Sequence, residues 1–197
     1  MKSLIVAVLT LSSFSLIAQD KPVTETYKVG SSATKITYVG KKITGSHTGN
    51  VSVKAGTLTF VGENLSSGEI IVDMNSMTST DITDAEMNAK YLGHMKSADF
   101  FDTAKYPEAK LVIKNSKANQ QGMEVSGDLT MIGQTHPVKF QVTEWKKTGS
   151  SVSGKTTLKL DRTKWGLKYG SSSFFKGLGD KAIDNEFSLD IILSATK

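Results

Sequence analysis

The stretch Ile183-Asp184-Asn185-Glu186-Phe187-Ser188-Leu189-Asp190-Ile191-Ile192-Leu193 decides the fold class. Ile183, Asn185, Phe187, Leu189, Ile191 and Leu193 fall on one side of an extended chain; Asp184, Glu186, Ser188 and Asp190 fall on the other. Side chains of a strand alternate between faces, so this period describes a strand with one buried and one wet face, the mark of antiparallel sheet. The same period recurs upstream. Ile36 and Tyr38 alternate with Lys35 and Thr37, Val51 and Val53 with Ser52 and Lys54, and Leu58 and Phe60 flank Thr59. Val138, Phe140 and Val142 alternate with Lys139 and Gln141, and Leu158 and Leu160 flank Lys159. Turn-forming clusters separate these runs: Thr44-Gly45-Ser46, Ala55-Gly56, Gly62-Glu63-Asn64, Ser66-Ser67-Gly68, Gln120-Gln121-Gly122 and Thr148-Gly149-Ser150. The pattern predicts an all-β, mainly antiparallel domain of about eight strands, either a sandwich or a barrel. A barrel is preferred, because closure removes the two edges that a long one-sided sheet must otherwise hide.

One segment departs from this rhythm. Residues 80–101 read TDITDAEMNAKYLGHMKSADFF. Thr80 or Asp81 suits a helix cap, Asp84 and Glu86 suit a first turn, Met87 and Tyr91 share a face, and Gly93 is a stop signal. The expectation is a short helical insertion, with Ser97 capping a second turn that ends at Phe100-Phe101. Between Trp165 and Gly179, Tyr169, Phe174, Phe175 and Leu178 lie among glycines. So many rings in a glycine-rich loop predict a segment packed over a core or a cavity mouth.

Composition narrows the function classes. Of 197 residues, 38% are hydrophobic and 22% charged, which excludes a disordered tail, a collagen-like repeat and a multi-span membrane protein. The chain has no Cys, which excludes disulfides, thiolate metal sites, a Cys nucleophile and a lipidated N-terminal Cys. Lys2, the apolar run to Ile17 and then Ala18 read as a secretory signal peptide over residues 1–18. The run is too short and too rich in hydroxyls for a membrane anchor, so no stable membrane span is expected. Residues 19–197 are then one exported domain, in a periplasm or in the medium. Arg162 is the only Arg and the lysines are scattered, so nucleic acid is not an expected partner.

No chemistry-bearing constellation emerges. His47, His94 and His136 lack zinc spacing, and neither HExxH nor GxSxG occurs. Asp99 with Asp102, and Asp180 with Asp184, read as caps or as partners of Lys96, Lys105 and Lys181. Gly177-Leu178-Gly179 lacks the third glycine of a dinucleotide fold. The expectation is a non-enzyme with no catalytic residue, metal or cofactor. A barrel of about eight strands either fills with side chains or encloses one small ligand. The residues alone leave both outcomes open.

Three motifs add a resemblance. Gly93-His94-Met95-Lys96-Ser97-Ala98-Asp99-Phe100-Phe101-Asp102, followed by Tyr106-Pro107-Glu108-Ala109, resembles the H-[LM]-[KR]-S-x-D-F-F-D…[YF]-P stretch of the YceI-like family. Gly127-Asp128-Leu129-Thr130-Met131-Ile132-Gly133-Gln134-Thr135-His136-Pro137-Val138 is similar to its G-x-L-T-[IM]-x-G-x-[TS]-x-P-V strand and turn. Asp161-Arg162-Thr163-Lys164-Trp165-Gly166 is similar to its Arg-containing segment before the final strand. The motifs stand in the family's order. The chain departs at Gly30-Ser31-Ser32-Ala33, where many members carry an Asp and a His-Ser pair, and at Tyr91-Leu92-Gly93, where they carry Arg-Asp.

The resemblance implies a lipocalin-like barrel, exported to the periplasm or beyond, whose elongated interior holds a long apolar lipid. The ligand class is a polyisoprenoid, quinone-like or prenyl-phosphate, or a fatty-acid-derived amide. Under that implication the barrel wall is Ile36, Tyr38, Val51, Phe60, Ile70, Val72, Leu111, Ile113, Leu129, Phe140, Leu158 and Phe187. A soft flap is Met87, Leu92, Met95, Phe100 and Phe101, and a lid is Trp165, Phe174 and Phe175. Lys41, Lys42 and Lys168 are candidates to meet a phosphate head group. The alternative is a structural or stress-related exported protein with a filled barrel and a surface partner. A homodimer is left open in either case.

Overall fold

The computed structural model describes residues 21–197; the predicted signal segment lies outside them. The strands are β1 Thr24–Val29, β2 Lys35–Lys42, β3 Gly45–Val61, β4 Asn64–Ser79, β5 Glu108–Asn119, β6 Gly122–Met131, β7 Gln134–Lys147, β8 Ser151–Asp161 and β9 Ile183–Thr196. The helix α1, Ala85–Lys96, lies between β4 and β5. Every pairing is antiparallel. β2 to β9 form an eight-membered ring that the β3–β4 ladder closes, running from Gly49–Ser79 to Val61–Asn64. β1 is the ninth strand. It pairs with the far half of β3 and the end of β9, so it continues the line of β2 beyond a turn at residues 30–34.

Two expected turns are not turns. Ala55-Gly56 lies inside β3 and Ser66-Ser67-Gly68 inside β4, where the register shifts instead of reversing. A Cβ at Gly56 would stand 3.0 Å from Val29, and one at Gly68 would stand 3.0 Å from Leu58. These glycines let neighbouring layers approach, and bulges let the long strands bend around the ring.

The ring has two unlike ends. Tight turns at 61–64, 119–122 and 147–151 close one of them. Between them Tyr27, Leu58, Phe60, Val125 and Val152 are fully buried. Phe60 meets Tyr27 edge to face at 5.6 Å and stacks on Trp145 at 5.7 Å. Glu25 on β1 ties this end across three strands. It accepts from Lys147 Nζ at 2.8 Å and Lys197 Nζ at 2.6 Å, while the Tyr27 hydroxyl donates to the Thr148 carbonyl at 2.9 Å.

The other end carries the two long excursions, residues 80–107 and 162–182. α1 begins later than expected, at Asp84 rather than Thr80 or Asp81, because the Asp84 carboxylate accepts from the Met87 amide at 2.8 Å. It also runs through Gly93 to Lys96. The Ser97 hydroxyl donates to the His94 carbonyl at 2.8 Å and receives the Asp99 amide at 3.3 Å, so Ser97 ends the helix and starts the next turn.

Two outcomes follow for stability. Gly93 sits exposed within α1 with open space where a Cβ would go, so Gly93→Ala should raise stability by about 1 kcal/mol in denaturant titration. Hydrogen bonds from Lys147 and then Lys197 pull the Glu25 carboxyl down to about 2. A lowered folded-state pKa stabilises the fold above the ordinary carboxylate value near 4, and that contribution is lost as pH falls towards 2. Melting temperatures taken between about pH 4 and pH 2 should therefore fall less steeply in Glu25→Gln than in the native chain.

Candidate functional site

Above the closed end the interior is hollow. A cavity of about 490 Å³ occupies the half of the barrel beneath α1 and the 162–182 segment. Its size lies within the roughly 300–1,000 Å³ of small-molecule sites. Ile36, Tyr38, Val51, Ile70, Val72, Leu111, Leu129, Leu158 and Phe187 line its wall, and Met95, Phe100 and Phe101 its roof, as the alternation and the flap placed them.

Eight residues lie elsewhere. Phe60 and Ile113 face inward but belong to the packed plug near the closed end, below the cavity floor. Period two fixes the face of a residue and says nothing about its depth. Met87 is 62% exposed on the outside of α1, because only the last turns of the helix overhang the bore. Leu92 packs partly buried against the core without bordering the cavity. Phe174 and Phe175, expected as lid, are each 49% exposed and face away from it.

Phe140 and Trp165 border a second, smaller cleft. β7 and β8 pair only at Thr143–Lys155, Lys146–Ser153 and Lys147–Val152, next to their hairpin turn, and then diverge. Glu144, with φ of 48°, sits at the irregularity below this break. The resulting cleft of about 210 Å³ is lined by Val138, Phe140, Leu160 and Trp165, among others. Leu158 borders both this cleft and the main cavity. Trp165 is anchored by its indole N–H, which donates to the Leu129 carbonyl at 3.0 Å.

Other residues complete the wall. Leu189, Ile191 and Leu193 line it beside Phe187; the final strand's alternation already put them on that face. Met74 and Met77 also line it, but they are three apart across a register shift, so no two-residue period marks them. The roof is an aromatic knot. His94 lies 5.0 Å from Phe100 and 4.7 Å from Tyr169, and Phe100 lies 5.2 Å from Tyr169. His47 accepts or donates through Nδ1 to the Asp81 carboxylate at 2.8 Å and packs its ring on Tyr91 at 4.6 Å. The Tyr38 hydroxyl donates to the Thr78 carbonyl at 2.7 Å. Burial pushes the Tyr38 and Tyr91 phenols up from their ordinary values, so both remain protonated at neutral pH.

Arg162 borders the cavity at 4% exposure. Its guanidinium donates to the carbonyls of Asp184 at 2.9 Å, Leu167 at 2.7 Å, Tyr169 at 2.8 Å and Ile183 at 3.0 Å. The five-donor fork thus gathers the 162–170 backbone onto the start of β9 and holds Tyr169 in the roof. Nothing in the sequence reading gave Arg162 this role. Lys41, Lys42 and Lys181 stand at the mouth, whereas Lys168 lies over the Phe174 ring at 4.9 Å.

The interior is thus an apolar chamber whose Tyr38 hydroxyl and Arg162 guanidinium are engaged with backbone carbonyls, with Lys41, Lys42 and Lys181 at the mouth. Among the described residues, no group of three His, Cys, Asp or Glu is arranged to hold a metal ion. No helix of the described residues is long and apolar enough to cross a membrane.

Comparison with known proteins places this architecture. The chain is similar to Burkholderia cenocepacia BcnA, with a TM-score of 0.62 at 20% identity over 85% of this chain and 99% of that one. It is also similar to a polyisoprenoid-binding domain from Saccharophagus degradans, with a TM-score of 0.61 at 16% identity over 86% and 97%. Among curated relatives, Protein YceI of Escherichia coli O17:K52:H18 is 34% identical over 113 residues, 53% of this chain and 56% of the relative. A UPF0312 protein of Pseudomonas putida GB-1 is 35% identical over 112 residues, 53% and 52% of the two chains. The matches thus span about half the length of these curated relatives. The YceI-like domain model matches residues 27–195, from β1 to the end of β9, and the chain belongs to the YceI-like family.

Proposed function

We propose that this protein is an exported binder or carrier of a long apolar lipid, a polyisoprenoid or a fatty-acid derivative, held in the lid half of the barrel. The observation that carries this is the chamber of about 490 Å³ with aliphatic, Met and aromatic walls. The fold shared with a solved polyisoprenoid-binding domain supports it, as does the leader-like N-terminus, which supports export. A binding role fits the interior, where the Tyr38 hydroxyl and the Arg162 guanidinium are committed to backbone carbonyls.

Burial of apolar surface contributes roughly 0.8 kcal/mol per methylene, so a five-carbon isoprene unit supplies about 3–4 kcal/mol. A few units offset the cost of association without any head-group contact. The plug of Phe60, Trp145 and Val125 ends the bore, so chain length is limited by the depth of the chamber. The polar end of the guest lies at the mouth, near Lys41, Lys42 and Lys181.

Organic extraction of the purified protein followed by mass spectrometry should release a long-chain lipid; an empty extract, with no uptake of added lipid, would overturn the proposal. The two halves of the barrel should also respond differently to substitution. Leu111→Lys in the chamber wall should abolish uptake of an added apolar probe with only moderate loss of stability. Phe60→Ala in the plug should cost about 3–5 kcal/mol in denaturant titration and leave the chamber wall in place.

A further inference from the structure

The large exposed apolar side chains are unevenly placed. Of the seven among the described residues, Ile43, Met87, Tyr169, Phe174 and Phe175 stand at the lid end, with Ile43 at 67% exposure, while Val23 precedes β1 and Ile192 lies on the outer face of β9. Ile43 lies in the β2–β3 turn, and Phe174 and Phe175 lie in the 162–182 segment. Lys42 pairs with Ile183 across the β2–β9 ladder, so the turn borders the end of that segment. Together these two stretches carry Lys41, Lys42, Lys164, Lys168, Lys176 and Lys181 against Asp180, with Asp184 of β9 also bordering the mouth. Among the described residues no carboxylate lies within ion-pair distance of any of these six lysines. The 80–107 segment has the opposite balance: Asp81, Asp84, Glu86, Asp99 and Asp102 outnumber Lys90, Lys96 and Lys105.

We propose that the basic, Phe-bearing side of the lid end docks on an anionic bilayer surface. Phe174, Phe175 and Ile43 enter the head-group and acyl boundary, and the lysines remain at the phosphates. Apolar insertion combined with a basic patch is the two-signal arrangement that reversible membrane binding requires. Lys stems lie along apolar surface while their ammonium groups reach the head groups. A protein partner fits less well, because Lys is depleted at protein interfaces and this face carries six of them. The single Arg here is buried and bonded to carbonyls. The patch is continuous with the cavity mouth, which Lys41, Lys42 and Lys181 border. Docking therefore sets the opening of the chamber against the apolar phase in which a lipid guest is dissolved. This placement rests on the lipid-binding function proposed above, whereas the docking itself does not require it.

The test is sedimentation of the full mature chain with phosphatidylcholine vesicles, with and without phosphatidylglycerol. The native chain should bind vesicles containing phosphatidylglycerol, and added salt should weaken that binding. Phe174→Ser with Phe175→Ser should weaken binding about tenfold or more, and Lys168→Glu with Lys176→Glu should do likewise. Both phenylalanines lie off the cavity, so uptake of an apolar probe in vesicle-free solution should be unchanged in the serine variant. Equal affinity for both vesicle types, or binding untouched by the serine substitutions, would overturn the proposal. So would a dimer that the serine variant converts to monomer while vesicles capture neither form, since the patch would then be a contact between copies. Loss of probe uptake by the native chain, with vesicle binding intact, would overturn the lipid-carrier function and leave the docking surface standing.

Discussion

Closure of the sheet along the β3–β4 ladder sets the terms for everything inside it. A ring of about eight strands encloses a bore whose width the protein does not choose residue by residue. What varies along the axis is how that bore is filled. Rings from β1, β3 and β7 meet at the closed end, where Tyr27, Phe60 and Trp145 pack against one another and the Glu25 carboxylate draws in Lys147 and Lys197. Towards the lid the inward residues are mostly Ile, Val, Leu and Met, which are too small to meet across the bore. The chamber is the volume that those side chains leave.

The chamber then needs a roof, and the chain builds it from segments with little regular structure of their own. Backbone polar groups in such segments must find partners before they can be buried. Arg162 supplies them: one guanidinium serves four carbonyls from the loop and from the start of β9. Tyr169, thus held, meets His94 and Phe100 from the helical insertion. The roof is a side-chain contact between two excursions that are distant in sequence, and it borders the cavity without sealing its basic side.

Surface and interior are matched at this end. The mouth and the exposed phenylalanines share one rim with lysines that outnumber Asp180 and Asp184 there. A carrier of an oily guest faces a transfer problem, because each methylene moved through water costs what burial would have gained. In the role proposed above, a mouth that rests on the membrane avoids that passage, so the position of the rim counts as much as the volume beneath it.

Much of this was legible in the sequence. Strict alternation in β9 and in β2 gave the strands, and the break in that rhythm at residues 80–101 gave the helical insertion. The motifs around His94, Gly127 and Arg162 carried the family. Alternation also placed Ile36, Val72, Leu129 and Phe187 on the correct face, because the pleat sends every second side chain inward whatever the rest of the chain does. Depth along the bore was not legible. Phe60 and Leu111 satisfy the same pattern, yet one is plug and the other is chamber wall, and only the meeting of rings from three strands separates them. Bulges in β3 and β4 put Met74 and Met77 into the wall against the period. The loop phenylalanines turned outward because Arg162, Trp165 and Tyr169 already secure that segment from beneath. Where alternation is unbroken, the sequence by itself determined which residues form strands and which face they present, since local alternation is a property of neighbouring residues. Only the tertiary structure decided where the barrel is full and where it is empty, because a void depends on residues far apart in the chain failing to touch.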